Sequence, residues 1–142
     1  MTQNVNLEIM TQIMQVEGNE SFTQKVTGEF LVKPHASYLR YQEKATAQQA
    51  SAQVLFKFQA DGKISLQRKQ ADGMSRLLFT LEAPQRGLYQ IGKQQLALKV
   101  VTTKHDQQID HKLSKGKLAL DYQLFFEEQL LGEYKIRLQF KL

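Results

Sequence analysis

The closing run "EYKIRLQFKL", residues 133–142, alternates without a break between apolar side chains and charged or amide ones. Tyr134, Ile136, Leu138, Phe140 and Leu142 share one face of an extended chain; Glu133, Lys135, Arg137, Gln139 and Lys141 share the other. A helix would scatter that period around its circumference, so the run is a strand with one buried face. The same grammar runs backwards through the chain. "KLALDYQLF" sets Leu118, Leu120, Tyr122 and Leu124 against Ala119, Asp121 and Gln123, and "QLALKVVTT" aligns Leu96, Leu98, Val100 and Thr102. Near the start, Val5, Leu7, Ile9, Thr11 and Ile13 fall together.

Turn chemistry divides these runs. "EGNE", "KPHAS", "LEAPQRG" and the Asp-Gly pairs of "ADGK" and "QADG" are connectors, Asp and Gly being tolerant of positive φ, and "FEEQLLGE" reads as a hairpin loop ending in Gly132. About ten strands joined by short loops, nearly all with one wet face, predict an all-β fold. An up-and-down antiparallel barrel of about eight to ten strands, a single domain over 1–142, also removes exposed edges. One segment stands apart. "EKATAQQASAQ" is rich in helix formers; it reads as two strand ends and a loop, with a short helix at the barrel mouth as the alternative.

A chain of 142 residues buries roughly 70% of its unfolded surface and needs no staples. The absence of cysteine removes disulfides and thiolate metal sites and fits a reducing cytoplasm. The N-terminal run has no secretory pattern, and no stretch approaches the roughly 18–20 apolar residues of a membrane helix. A soluble, cytoplasmic protein is expected. The net charge of +5 is spread among interspersed acids, a pattern of solubility before one of nucleic-acid binding.

The informative polar residue is Arg68 in "KISLQRKQADG", because it continues the face of Ile64 and Leu66. A buried guanidinium requires a partner. The strand "YLRYQEK" offers Glu43, which shares a face with Leu39 and Tyr41; Tyr89, Thr102 and Tyr122 are further inward polar groups. Three readings stay open: Arg68 ends its strand and reaches solvent, forms a structural pair with Glu43, or anchors a ligand's acidic group. His105, Asp106, Asp110 and His111 in "KHDQQIDHK" have metal-ligating chemistry, but strand parity splits the histidines from the aspartates, and a solvated hairpin is the expected form. A positive patch of Lys104, Lys112, Lys115, Lys117, Lys135, Arg137 and Lys141 would form if the last strands adjoin, yet the aromatics of these strands lie on the apolar face. No phosphate loop, nucleophile elbow or cofactor motif is present, and catalysis has no positive support.

"YLRYQEK", "FKFQADGKISLQRKQADGMSRLLF", "LYQIGKQQLALKVVTTK" and "GKLALDYQLFFEEQLLGEYKIRLQF" together resemble the YwiB-like proteins of Gram-positive bacteria, a domain of unknown function. The resemblance runs from about Tyr38 to the end. It carries the family's Tyr-x-Glu strand onto Tyr41 and Glu43 and its strand-end arginine onto Arg68. It departs where Gln70 stands for a glycine and where "YQIG" shortens a polar turn. It implies a calycin-like or lipocalin-like β-barrel and no established activity. The leading expectation is non-covalent binding of a small, partly apolar ligand, acidic in one version, inside the barrel. The alternatives are a packed scaffold for protein partners and, more weakly, nucleic-acid binding through the lysine surface.

Overall fold

The computed structural model describes residues 2–45 and 50–142. Ten strands follow one another: β1 (Thr2–Gln15), β2 (Gly18–Val32), β3 (Ala36–Glu43), β4 (Ala52–Gln59), β5 (Ile64–Gln70), β6 (Gly73–Phe79), β7 (Gln85–Ile91), β8 (Gln94–Asp110), β9 (Lys115–Phe126) and β10 (Gln129–Lys141). Each pairs antiparallel with the next and β1 closes on β10, giving a closed ten-stranded barrel. The alternation does the sorting: in β4, Ala52, Val54, Phe56 and Phe58 are buried while Gln53 is exposed. Among the described residues no helix is long and apolar enough to cross a membrane. The choice between helix and loop in "EKATAQQASAQ" rests on residues 46–49, which lie outside the described residues.

Odd strands run towards one end, here the mouth, and even strands return to the floor. The floor is aromatic. Phe30 and Phe140 meet with ring centroids 4.8 Å apart, and Phe30, Phe56, Phe79, Leu39 and Ile64 are fully buried. Gln107 Nε2 donates to the Gly62 carbonyl across the bottom at 2.9 Å.

Three local readings are corrected. "KHDQQIDHK" is no separate hairpin, because β8 continues to Asp110 through a register shift between Thr102 and Lys104. A bulge there inserts one residue and reverses parity, so His105 pairs opposite inward Leu120 while Asp106 is exposed. Asp110 Oδ1 instead accepts the backbone N–H groups of Lys112 and Leu113, both at 3.0 Å, and the His111 ring lies 6.1 Å from Phe30. The β9–β10 loop is also shorter than expected. Glu127 and Glu128 alone form it, with φ of 55° and 80°, the left-handed pair a tight hairpin requires even without glycine. Gly73, finally, does not serve the turn by positive φ; a Cβ there would stand 2.7 Å from the Gln90 carbonyl oxygen, so strand approach demands it.

Candidate functional site

Register brings the inward polar residues together at the mouth. Tyr41 and Glu43 end β3, opposite Val54 and Ala52 of β4; Val54 in turn pairs with Arg68 near the end of β5. The row continues from Arg68 to Ser75 on β6 and from Ser75 to Tyr89 on β7. On the other wall Thr102 pairs with Tyr122, and Tyr122 with Tyr134. Small residues at Ala52, Val54 and Ser75 leave room for the long side chains between them.

Arg68 Nη2 donates to Glu43 Oε1 at 2.5 Å, with 25% of the arginine side chain and 12% of the carboxylate side chain exposed. Arg68 is therefore neither a surface strand end nor sealed in the core: it is paired with Glu43 on the inner face and partly exposed. Tyr122 stacks on Tyr134 at 5.1 Å with planes 10° apart and packs against Phe79 at 4.7 Å. Burial, reinforced by the nearby Glu43 charge, raises the Tyr41 hydroxyl far above its usual pKa. Tyr122 is raised chiefly by burial and then by Tyr134; Tyr134 is raised by burial against the opposing pull of Gln15 and Arg68. All three remain neutral O–H groups at neutral pH, aimed into a site that holds one cation and one anion. The Thr102 hydroxyl is buried with no hydrogen-bond partner among the described residues, an uncommon state for a polar atom.

Arg68, Glu43, Tyr41, Tyr89, Thr102 and Tyr122 thus lie towards this end, whereas His105, Asp106, Asp110 and His111 do not join them. Tyr41, Tyr122, Arg68 and Glu43 interact electrostatically, Tyr89 couples to Tyr134, and Thr102 joins through Tyr122. Tyr134 and Ser75 were missed as site residues. Tyr134 read as another apolar position in a perfect alternation. The signal lay in the hairpin: a two-residue turn at Glu127–Glu128 and the register shift at Leu130/Gly132 set Tyr134 beside Tyr122. Among the described residues no three His, Asp or Glu side chains gather to hold a metal.

The mouth is rimmed by exposed apolar side chains, Val16, Ile91, Leu96, Leu130 and Leu131. Two concavities of about 1260 and 790 Å³ lie on the outer face of the sheet, lined by outward residues of consecutive strands and by the inward residues between them.

A family described as a domain of unknown function (DUF1934) matches residues 7–138. The fold is similar to that in the crystal structure of the ywiB protein from Bacillus subtilis, with a TM-score of 0.78 and 18% identity over 99% of this chain and 92% of that one. Among curated proteins none matches. With nearly its whole length matched, the chain belongs to the DUF1934 family.

Proposed function

We propose that this DUF1934 member binds, without covalent chemistry, a small acidic molecule with an apolar or aromatic body at the barrel mouth. The observation that carries the reading is the Arg68–Glu43 pair, held on the inner face of a barrel and ringed by tyrosines. Glu43 orients the guanidinium, whose positive charge attracts a ligand carboxylate or phosphate. Neutral Tyr41, Tyr122 and Tyr134 give the wall both aromatic area and hydroxyl donors. The Thr102 hydroxyl supplies a polar contact that the protein itself leaves unanswered. The aromatic floor directs the ligand's body towards the rim of Ile91, Leu96, Leu130 and Leu131 instead of deep into the barrel.

A second reading draws on the same rim: an exposed apolar ring is also a protein contact surface. Native mass spectrometry separates the two. The expected result is a small extra mass on the wild-type chain, directly or after incubation with aromatic and aliphatic carboxylates. Arg68→Met loses it and Glu43→Gln weakens it. A bare monomer under all these conditions defeats the ligand reading. A dimer mass that disappears in Leu130→Lys/Leu131→Lys assigns the rim to self-association.

A further inference from the structure

The groove of about 1260 Å³ crosses the outer face of six strands and shares no residue with the mouth site. Its lining follows from register. On one row Gln108, Lys117, Gln139, Glu8 and Lys25 stand in succession across β8, β9, β10, β1 and β2; on the next, Asp110, Lys115, Lys141, Asn6 and Thr27 do so. Gln42 and Lys44 of the β3 end complete it. Five lysines therefore face two acids. One acid, Asp110, is engaged in its own turn through Oδ1.

Two features show that this face is arranged and not merely soluble. Lys141 stands beside Lys115, one position beyond the Phe140–Gly116 pair, and Lys117 lies two residues along on the same face. Lysines gathered on one face repel one another, although Asp110 lies opposite Lys115, and an anion bound among them lowers that cost. At the far end, the Gln24 side-chain amide imitates a strand partner for Lys44: Nε2 donates to the Lys44 carbonyl at 2.9 Å and Oε1 accepts its N–H at 3.0 Å. That clamp continues the β2–β3 contact past the end of their ladder and holds Lys44 at the groove's edge.

We infer that this groove binds single-stranded nucleic acid through its phosphates. Six strands about 4.8 Å apart make a groove about 24 Å long, the reach of a few nucleotides of one extended strand. Such a length suits the lower end of the roughly 4–16 nucleotides held by sheet-borne single-strand sites. Interleaved Gln108, Gln139, Asn6, Thr27 and Gln42 supply uncharged donors between the cations. No aromatic side chain projects outward into it, so binding is electrostatic and indifferent to sequence. Of the basic patch expected from sequence, Lys104 is paired with Asp106 and Arg137 with Asp121, whereas Lys25 and Lys44 enter from strands distant in the chain.

Fluorescence anisotropy with labelled oligothymidylate and oligouridylate tests this. Affinity should fall with salt at a log–log slope of about −3, near −0.7 for each phosphate contact. Lys115→Gln/Lys117→Gln/Lys141→Gln should reduce the slope by about 2 and weaken low-salt binding at least about tenfold. Lys33→Gln/Lys57→Gln/Lys63→Gln removes the same charge elsewhere and should leave the slope nearly intact; thermal melts confirm that both variants fold. Equal losses in the two triple variants, or no binding at low salt, overturn the assignment. So does a duplex bound as tightly as the single strand. Displacement by oligoglutamate at equal charge concentration would give the groove to acidic peptides.

Discussion

The barrel's two ends are built from the same inward positions of the same strands, yet they have opposite character. At the floor, Phe30 and Phe140 pack ring to ring, Phe30 pairs with buried Leu39, and no charge lies among them. At the mouth those positions carry Tyr41, Tyr89, Tyr122, Tyr134, Arg68 and Glu43. Aromatic area is common to both; the hydroxyl and the ion pair are not. The floor follows the rule of apolar burial. The mouth pays desolvation for groups that a barrel does not need in order to close, and such groups are where function is sought.

The largest effect expected from breaking this comparison is at the floor. Phe30→Ala removes a ring that is 1% exposed and leaves a cavity against Phe140, so stability should fall by about 3–5 kcal/mol in urea unfolding. Tyr134→Ala, at a partly buried mouth position, should cost clearly less. Equal losses would mean that the mouth is as much a packing element as the floor.

How far the sequence carried these conclusions depended on range. Alternation within each strand was enough for the barrel, and parity placed Arg68 and Glu43 on one face because β4 between them has no bulge in its pairing. Parity then failed at Thr103, where an extra residue reverses the faces of β8, a choice made by pairing with β9 and invisible in β8 itself. The Glu127–Glu128 turn escaped because neither residue favours positive φ; the flanking ladder imposes it. Tyr134 and the outer groove are non-local for the same reason. One needs the hairpin register, the other the curvature of six adjacent strands, and no period-two pattern encodes either.

Alkaline pH sharpens the contrast between ends, since phenylalanine does not titrate and buried tyrosine does. The folded pKa of Tyr41 and Tyr122 lies well above the unfolded value near 10, so above pH 10 the unfolded chain releases these protons while the folded one keeps them. Their stabilisation is complete well below pH 10 and is lost as pH rises towards the folded pKa, at a rate that approaches about 1.4 kcal/mol per pH unit for each group. Tyr122→Phe should therefore lose about 1 kcal/mol less than wild type between pH 10 and 11, measured as the difference in urea unfolding free energies. Lysine deprotonation affects both proteins and cancels. Identical pH dependence would mean that Tyr122 reaches water.

The smallest expected effect is the most selective, because each half of the barrel holds a hydroxyl with no partner among the described residues: Ser37 at the floor end of β3 and Thr102 beneath the mouth. Replacing an unsatisfied buried hydroxyl by a methyl or hydrogen removes a desolvation penalty without losing a bond, so Ser37→Ala and Thr102→Val should each be neutral or stabilising by up to about 1 kcal/mol. Stability alone does not tell them apart. Ligand occupancy does: if the mouth is the binding site, Thr102→Val weakens the small-molecule adduct in native mass spectrometry and Ser37→Ala leaves it unchanged. A loss of about 1 kcal/mol in Thr102→Val would instead mean that water already satisfies the hydroxyl, and its place among the binding groups would fall away. Matched stabilities with unmatched occupancies would tie an orphan hydroxyl to binding at the mouth alone, a division of labour that neither burial nor packing predicts.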